Sequence, residues 1–406
     1  MEIRGIDESE IKDMIDLQCQ VFRPDGHERY RQYLSGDSSY RRDQTRVVVV
    51  QGRIVATLRI WNRNMRIGSC AVRMGGIGGV GTHPKFRKQG YASALMRETT
   101  EFMKSSGYHV GVLFSGVPCR FYGELGWACL PMTGFRMIRR RPVTSAQTDW
   151  QVQPFDEQRD LKQVVALYDS YNARQSGSIV RSRDHWETAP ARIRNILPTL
   201  VARRGETLGG YLNYRIEGTI ATVLEVAYSR SEPSVFAALS GHLLQICERN
   251  GVEELCGEIP HRHPLIDRLV EDAAGDLSLT GNASMMLYLV NLPSLLQQLL
   301  PDLQSRLTSS SVQLDPLSIC IEVGEAKCVL TLDDSGRLSV TDANADAVKV
   351  SMSASLFWRV LLGESSWIQM EPILHARGIR VATNISEFLD ILFPYQEVIL
   401  WASDHF

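Results

Sequence analysis

The sequence contains no apolar run that approaches the roughly 18 residues needed to span a membrane. Its N-terminus, MEIRGIDESEIKDM, is charged from the second residue and lacks the apolar segment of a signal peptide. Its eight cysteines include no C-x-x-C pair and no spacing typical of metal ligands. We therefore expect a cytoplasmic protein with free thiols, without a membrane partner and without a metal.

The sequence also lacks an excess of charge of either sign. The chain of 406 residues carries 44 Lys and Arg against 46 Asp and Glu, a formal net charge of −2. No overall field therefore attracts nucleic acid, and we expect no nucleic-acid partner. The length and a hydrophobic fraction of 44% are sufficient for two or three globular domains.

Periodic apolar patterns predict the order helix, hairpin, strand, basic loop, helix and strand in residues 1–140. The hairpin turn is assigned to Gln51-Gly52, between two β-branched runs. The predicted elements are a helix at 8–22, the hairpin at 45–61, a strand at 75–82, a helix at 93–106 that ends at Gly107, and a strand at 110–115. This mixture of helices and strands indicates an α/β (α+β) fold.

The following segment repeats this order, which indicates an internal duplication. Residues 152–167 resemble 3–17, residues 199–214 follow the hairpin pattern of 45–60, and residues 239–259 follow 94–114, with Gly251 in the place of Gly107. The copy lacks the basic loop, because SRSEPSVFA (229–237) has Glu232 and Pro233 there and no glycine. A proline removes a donor and an acidic side chain repels an anion, so we expect the copy to be a scaffold.

The pattern changes again near residue 291, where short strands and then helices follow. We predict three domains, at 1–142, 143–290 and 291–406, with the basic and then polar segment 139–150 as the first linker. Its three consecutive arginines are interpreted as a solvated strand end rather than as a nucleic-acid patch.

The segment VGTHPKFRKQGYASALM (80–96) places positive charge, a glycine and a helix start at one point. The predicted loop is Arg87–Gly90, and the small residues Ala92 and Ser93 open the helix. Free backbone N–H groups and the positive end of a helix dipole make such a place an anion site. The spacing fits neither a nucleoside-triphosphate loop nor a dinucleotide fingerprint, and a surface loop with incidental arginines is the alternative.

The pattern Arg-x-x-Gly-x-Ala after a strand resembles the pyrophosphate loop of the GNAT superfamily of N-acetyltransferases. The resemblance extends to the order of elements in residues 1–140, and it implies acetyl-CoA as co-substrate. In that family the strand before the loop carries the pantetheine arm on its backbone. The cofactor-binding residues that the resemblance implies are Val80, Gly81, Thr82, Arg87, Lys88, Gln89, Gly90, Tyr91, Ala92, Ser93, Ser115 and Gly116.

The segment CRFYGELGW (119–127) resembles the family's FY-x-x-x-G-[FY] signature, in which the tyrosine protonates the leaving thiolate. The resemblance makes Tyr122 the general acid, and a phenol with a reference pKa of about 10 stays protonated at neutral pH. A packing tyrosine is the alternative. Cys119 offers an acyl-cysteine route, but nothing in the sequence indicates its activation, and we interpret it as a core thiol.

Two acetyltransferase-like segments followed by a strand-rich third segment resemble the Eis (enhanced intracellular survival) acetyltransferases. The resemblance implies two tandem GNAT-like domains, the second degenerate, then a sterol-carrier-protein-like α+β domain, and assembly as a homo-oligomer, a hexamer. It implies direct transfer of acetyl to a primary amine of an aminoglycoside, a polyamine or a peptide lysine, through a ternary complex. The alternative is a lipid or acyl-chain carrier with a vestigial acetyltransferase fold and a hydrophobic tunnel in residues 300–406.

In the Eis family the terminal carboxylate reaches the active site of the first domain, which implies a catalytic role for Phe406, the last residue of LFPYQEVILWASDHF (392–406). Three roles are open for this carboxylate: a base with a pKa raised by burial, a base that acts through water, or a binder of the cationic amine. A frayed terminus is the alternative.

Four further positions carry weaker predictions. Asp25, after the first helix, is a candidate substrate-binding residue, with a turn or cap role equally open, and Asp404 is similarly open. His83 is expected to shape the loop. The pair His261 and His263 is expected on the surface, because it lies in a proline-rich loop without a third metal ligand nearby.

Overall fold

The structure is a computed structural model that describes residues 1–116, 119–140, 148–187, 198–271, 275–341 and 347–406. Its described elements form three β-sheets with helices packed against them. Most of the predicted linker 139–150 lies outside the described residues. No helix in the described ranges is long and apolar enough to cross a membrane.

The first sheet is built mainly from the N-terminal third of the chain. Its elements in chain order are β1 (Glu2–Gly5), α1 (Ile11–Val21), α2 (His27–Ser35), β2 (Thr45–Val50), β3 (Arg53–Ile67), β4 (Cys70–Thr82), α3 (Tyr91–Ser105), β5 (Val110–Phe114), α4 (Arg120–Gly123) and β6 (Ala128–Cys129). β2 and β3 pair antiparallel around Gln51-Gly52, as predicted, and both turn residues have positive φ. The β-branched run of β2 is buried from Thr45 to Val49, which explains its strand conformation.

The second sheet repeats this arrangement. Its elements are β7 (Met132–Arg139), β8 (Gln151–Pro154), α5 (Glu157–Asn172), β9 (Ile179–Val180), α6 (Arg183–Glu187), β10 (Thr199–Arg204), β11 (Thr207–Glu217), β12 (Ile220–Tyr228), α7 (Val235–Arg249), β13 (Glu254–Gly257), α8 (Pro264–Glu271) and β14 (Gly275–Asn282). Of these, β9 pairs with β3 of the first sheet. Gly107 after α3 and Gly251 after α7 have φ of 75° and 64°, so both helices stop at a left-handed glycine in the matching place.

The two sheets exchange one strand. The first sheet runs β1-β2-β3-β4-β5-β15-β6 and includes β15 (Met285–Leu289), which follows the second repeat in sequence. The second sheet runs β8-β10-β11-β12-β13-β7-β14 and takes β7 from the end of the first repeat. The strands β15 and β7 occupy the same position in their sheets, so the sheets are related strand for strand.

The last part of the chain forms a smaller unit. Its elements are α9 (Leu292–Ser309), β16 (Leu317–Val323), β17 (Ala326–Leu332), β18 (Leu338–Thr341), β19 (Val348–Met352), α10 (Ala354–Leu362), α11 (Trp367–Ala376) and α12 (Thr383–Leu392), with the sheet order β18-β17-β16-β19. α9 docks on the first sheet, because Asp302 accepts hydrogen bonds from the backbone N–H of Ser69 at 2.9 Å and from its hydroxyl at 2.6 Å. The prediction of a mixed α/β chain is confirmed.

Residues 393–406 form the tail, which leaves this unit and runs back to both large sheets. Ile399 donates its N–H to the carbonyl of Ser176 at 2.9 Å, and a short 3-10 turn spans Ala402–Asp404.

Candidate active site

The first sheet opens at the carboxyl ends of β4 and β5. The two strands pair in parallel only from Met74–Ile77 with Val110–Leu113. β5 then ends at Phe114, while β4 continues to Thr82. The predicted residues Val80, Gly81 and Thr82 lie on this continued part. Within the residues that the structure describes, no strand pairs with their edge toward β5. Backbone groups on that edge are therefore available to a ligand, apart from any that a side chain contacts.

A bulge bends β4 at the opening. The register between β3 and β4 shifts between Thr57 and Arg59, and Gly79 has a φ of 63°. Gln18 of α1 donates its side-chain N–H to the carbonyl of Gly79 at 2.8 Å. α1 therefore fixes the bend that separates β4 from β5.

The predicted anion loop precedes α3. Gly90 is the N-cap with a φ of 81°, and Lys88 also has positive φ, 61°. The first helical hydrogen bond joins the N–H of Ala94 to the carbonyl of Gly90 at 3.0 Å, so the N–H groups of Tyr91, Ala92 and Ser93 come before it. A Cβ at Gly90 would meet no atom within 4 Å. The position thus needs glycine for its backbone conformation, and open space lies in front of the helix start.

The loop is tied to the strand. Arg87 donates its Nε–H to the carbonyl of Thr82 at 3.2 Å, and the side chain of Gln89 donates to the carbonyl of Lys85 at 3.4 Å. Arg87, Lys88 and Gln89 are all exposed. His83 accepts the N–H of Lys85 at 3.2 Å, which agrees with a role in shaping the loop.

Tyr122 lies in α4 and is buried, with 8% of its surface exposed. Its ring packs edge-on against Phe121 at 4.9 Å, and it shares a core with Ile77 and Leu113, the last pair before the opening. Burial raises the pKa of Tyr122, which keeps the phenol protonated at neutral pH. The thiol of nearby Cys119 donates to the carbonyl of Ala283 at 3.4 Å.

Ser115 and Gly116 follow β5 directly. The N–H of Ser115 donates to the carbonyl of Ser284 at 2.8 Å, which continues the pairing of β5 with β15. Gly116 is exposed, and a Cβ there would meet no atom within 4 Å. Both residues lie at the end of β5, on the rim of the opening.

The end of the tail lies against β4. A Cβ built on Gly76 would lie 2.5 Å from the Phe406 ring, and a Cβ on Gly78 would lie 3.4 Å from the carboxyl carbon of Phe406. Only glycine therefore leaves room for the ring at Gly76. The His405 ring stacks on Phe114 at 3.7 Å, and the Phe406 ring lies 5.5 Å from the same phenylalanine. The last two residues thus enter the first sheet at its opening.

The preceding residues of the tail are held by the second sheet and the helices packed on it, which we call the second sheet unit; the first sheet with its helices is the first sheet unit. Arg181 donates to both oxygens of Asp404 at 2.9 Å, and to an oxygen of Glu225 at 3.1 Å. The side chains of all three residues are at least 96% buried, and we call them the tail clamp. Burial alone would raise the pKa of Asp404, but the charge of Arg181 overcomes it and holds the pKa well below its usual range.

Further contacts surround the tail clamp. Ser403 donates its hydroxyl to Glu225, and the hydroxyl of Tyr211 donates to the same carboxylate at 2.5 Å. The indole N–H of Trp401 donates to the side chain of Asn172 at 3.0 Å. The carboxylate of Glu258 lies 4.0 Å from the ring nitrogen of His405. The second sheet unit therefore fixes the tail up to the residue before the terminal one.

A cavity of about 370 Å³ opens between α1, α2 and the sheet, and Phe406 is one of its walls. We call it the α1–α2 cavity. Its aromatic wall consists of Phe22, Tyr30, Tyr33 and Trp61. Phe406 thus separates this cavity from the opening between β4 and β5. Tyr122 does not line the cavity and lies with the core on the β5 side.

Two predicted positions lie elsewhere. Asp25 is exposed in the turn between α1 and α2 and is not part of the cavity lining. The prediction of a surface position for His263 is wrong, because it is fully buried. Burial and the charge of Arg230 lower its pKa to about 3. It packs among aromatic rings of the second sheet unit, a long-range contact that a proline-rich loop does not reveal.

The sequence did not identify the tail clamp, Gln18 or the arginines of the α1–α2 cavity. Asp404 was noticed, but its partners Arg181 and Glu225 lie in unrelated segments. The one available signal was the position of Asp404 two residues before the implied catalytic terminus. In the described parts of the chain, no group of three or more His, Cys, Asp and Glu side chains could hold a metal ion.

Comparison with known proteins shows which family and which solved structures this chain resembles. Residues 2–130 match the family model of the acetyltransferase (GNAT) domain. No curated protein matches the chain in sequence. Among solved structures, the chain is similar over 100% of its length to a protein of unknown function, a probable N-acyltransferase, from Enterococcus faecalis, with 17% identity, 99% of that chain covered and a TM-score of 0.75.

Two further structures cover this chain and their own chains completely. They are a GCN5-related N-acetyltransferase from Anabaena variabilis, with 16% identity and a TM-score of 0.74, and Eis1 from Mycobacterium abscessus, with 16% identity and a TM-score of 0.66. At this level of identity the likeness concerns the fold. Residues 2–130 therefore match the GNAT acetyltransferase domain, and the whole chain shares the fold of Eis1 and of the GCN5-related N-acetyltransferase, in agreement with the resemblance that its sequence shows.

Proposed function

We propose that this protein transfers the acetyl group of acetyl-CoA to a primary amine, directly and in a ternary complex. The observation that carries the proposal is the position of the chain terminus. The carboxyl carbon of Phe406 lies beside Gly78 of β4, two residues before the stretch Val80–Thr82 that is predicted to bind acetyl-CoA. Phe406 also lines the α1–α2 cavity. A carboxylate there lies between a site for the thioester and a site for an amine.

Binding of acetyl-CoA is assigned to the opening and to the helix start behind it. The unpaired edge of Val80–Thr82 offers backbone donors and acceptors, and the N–H groups of Tyr91, Ala92 and Ser93 offer an anion site for the pyrophosphate. Arg87 and Lys88 add positive charge that no carboxylate of the described chain neutralises by an ion pair. When bound, acetyl-CoA supplies an activated acyl group and a thiolate leaving group.

Two groups of the chain are assigned to proton movement. The Phe406 carboxylate attracts the ammonium form of the acceptor and receives its proton, directly or through water, so that the free amine can attack the thioester carbon. Tyr122 donates its phenolic proton to the departing sulfur. Its raised pKa supports the role of an acid that is always protonated before the step. The amide product then carries the acetyl group and CoA leaves as the thiol.

The other parts of the chain are assigned supporting roles. The second sheet unit, proposed as a degenerate domain between residues 143 and 290, binds no CoA and holds the tail by the tail clamp. The third unit, from residue 291, connects to the tail, and its likeness to sterol carrier proteins stays a prediction. Assembly as a hexamer and a cytoplasmic location also stay predictions.

The experiment is a thiol-release assay with acetyl-CoA and a panel of primary amines, followed by initial-rate kinetics with both substrates varied. A ternary complex predicts intersecting double-reciprocal lines and no labelled protein after incubation with acetyl-CoA alone. Cys119→Ala should keep its turnover. Parallel lines with acetyl-labelled protein, abolished in Cys119→Ala, would establish the acyl-cysteine route instead. A protein that neither binds acetyl-CoA nor releases thiol would contradict the proposal and favour the carrier alternative.

A further inference from the structure

The charge of the α1–α2 cavity is unusual for a site that would accept a polycation. Three arginines line it, namely Arg23, Arg29 and Arg59. No Asp or Glu side chain is among the described residues of its lining, and the only carboxylate there is the chain terminus at Phe406. An acceptor therefore meets more positive than negative charge at its walls.

The deepest arginine is only partly neutralised. Arg59 is buried and donates to Asp37 at 2.7 Å, but Arg63 shares the same carboxylate at 3.2 Å. Burial lowers the pKa of Arg59 to about 10, and the group remains cationic at neutral pH. Its guanidinium lies 3.6 Å above the Trp61 ring. One carboxylate thus faces two guanidinium groups, and one positive charge remains.

The two outer arginines have no carboxylate partner within the described chain. Arg29 donates to the hydroxyl of Tyr33 at 2.5 Å and lies 5.2 Å from its ring, while Arg23 lies at the turn after α1. Of the acidic residues nearby, Asp16 pairs with Lys12 and His27, and Glu28 lies 3.7 Å from Arg31. Asp25 is exposed in the turn between α1 and α2, outside the cavity lining. Both guanidinium groups are exposed and available at the cavity mouth.

The walls between these charges are apolar. Tyr33 and Trp61 meet edge to face at 5.6 Å, and Phe22 stays 52% exposed at the rim, which is a large exposure for this side chain. Met14, Leu34 and Leu58 complete the apolar lining. The cavity thus has aromatic walls, one carboxylate at its inner end, and at its mouth two exposed arginines that no carboxylate of the described chain neutralises. Such a lining favours a ligand with a cationic group, an apolar body and an anionic group.

We propose that the acceptor is an amine with an aromatic or apolar body and an anionic group at its far end, and that aminoglycosides and polyamines are poor acceptors. The amine binds at the Phe406 carboxylate, the body packs on the aromatic wall, and the carboxylate or phosphate of the acceptor binds Arg23 and Arg29. This inference rests on the proposed function and names the class of its acceptor.

The test uses a matched series of amines in the thiol-release assay. The anionic members are 4-(2-aminoethyl)benzoate and tyramine O-phosphate, the neutral member is 4-(2-aminoethyl)benzamide, and the cationic members are 4-(aminomethyl)phenethylamine, spermine and an aminoglycoside. We expect kcat/KM for the better anion to exceed that of the amide by roughly 10–100-fold, the range of a charge-assisted hydrogen bond. The cationic members should rank last, and the two anions distinguish a carboxylate from a phosphate.

Variants identify the partner of the anion. Arg23→Gln with Arg29→Gln should reduce the ratio of anion to amide toward one. The matched control is Arg31→Gln, an exposed arginine of α2 outside the cavity lining that pairs with Glu28 at 3.7 Å, and it should keep the ratio. An unchanged ratio in the double variant would overturn the assignment of the anion to these arginines.

A binding arm keeps this inference separate from the proposed function. Affinities of the same amines for the protein with CoA bound are measured by calorimetry, whether or not turnover occurs. Equal affinities, or tighter binding of spermine or the aminoglycoside, would overturn the inference even if the enzyme acetylates amines. Tighter binding of an anionic amine without any thiol release would support the acceptor class and overturn the proposed reaction.

Discussion

The two large sheets share their strand order but differ at the corresponding opening. Each has four parallel pairs, which end at Ile77 with Leu113 in the first sheet and at Val223 with Gly257 in the second. Beyond them the long strand keeps only its antiparallel neighbour. The second residue past this pair is Gly79 in the first sheet and Glu225 in the second. The glycine leaves a bent, open backbone, whereas the glutamate holds Arg181.

The second opening is closed by side chains. His263, Phe236 and Tyr228 pack there with ring distances between 4.4 and 6.2 Å. The helix start is also covered, since Trp150 donates its indole N–H to Ser234, the N-cap of α7, at 3.1 Å, and Glu232 pairs with Arg204 at 2.7 Å. The same backbone architecture thus holds an open site in one repeat and a packed, charged anchor in the other.

This difference gives the second repeat a role of its own, which is to hold the tail. The tail contacts each sheet on the strand that extends past its parallel pairs, with Asp404 and Ser403 held by the second and Phe406 by the first. If the proposed function holds, the second repeat contributes by placing the terminal carboxylate, since proton transfer tolerates little displacement of the accepting group.

The largest expected effect concerns a residue present in one repeat alone, Tyr122. Residues 258–271, which follow β13 in the second repeat, contain no tyrosine. Tyr122→Phe removes the proton and keeps the ring, so kcat should fall about 10²–10⁴-fold while acetyl-CoA affinity is retained. Tyr108→Phe, a change at another buried tyrosine of the first sheet unit, should stay near wild type in the same steady-state assay. Equal turnover of both variants would assign the proton to another donor.

The second largest effect tests the difference between the helix starts of the two repeats. Gly90→Glu introduces the charge of the second repeat into the first, and it should weaken acetyl-CoA binding by roughly 100-fold or more, because a carboxylate repels the pyrophosphate. Gly52→Glu is the control, since Gly52 also has positive φ, at 72°, and an open Cβ position. Calorimetry should give one acetyl-CoA per wild-type chain. A stoichiometry of two, or unchanged affinity in folded Gly90→Glu, would contradict the comparison.

A third prediction addresses the anchor in the second sheet unit. Asp404→Asn leaves Arg181 buried with one carboxylate fewer, which should lower the free energy of unfolding by about 3 kcal/mol. The loosened tail should also lower kcat with little change in acetyl-CoA affinity. Asp276→Asn, at an exposed pair with Arg140, should cost less than about 1 kcal/mol and no activity. Chemical denaturation measures the free energy of unfolding and steady-state kinetics measures kcat for both variants. A fully active Asp404→Asn would show that activity does not depend on the tail clamp.

The smallest effect is a pH dependence of stability in the packed opening. His263 has a folded pKa of about 3, below the value of about 6.5 for an unfolded histidine. Its contribution to stability is therefore complete above the unfolded pKa and is lost as pH falls toward the folded pKa. His263→Asn keeps an acceptor for the N–H of Leu265 but does not titrate. The variant should lose less stability than wild type between pH 7 and pH 4.5 in denaturant titrations; identical slopes would contradict the assignment.

The sequence predicted what local patterns determine. The hairpin around Gln51-Gly52 and the matching helix ends at Gly107 and Gly251 follow from residues whose conformational preferences act over a few positions. The family model over residues 2–130 confirms the resemblance of the first repeat to a GNAT domain.

The remaining features depend on contacts between distant segments. The exchange of β7 and β15 cannot be read from either strand, because both fit the same position in either sheet. Arg181 meets partners 44 and 223 residues away. The cavity arginines look like ordinary surface charges in the sequence, and only the folded chain brings Arg23, Arg29 and Arg59 around one space without an acidic side chain.

The measurement that tests the central claim most directly is the turnover of a protein extended by one C-terminal glycine. The extension moves the terminal carboxylate by about 3.5 Å and leaves every side chain in place. With a tail clamp that fixes Asp404 and a Phe406 ring fixed over Gly76, the carboxylate cannot return to its position beside Gly78. We predict that kcat falls about 100-fold or more, with acetyl-CoA affinity and melting temperature retained. Wild-type turnover in the extended protein would show that the tail is structural and that its carboxylate takes no part in the reaction.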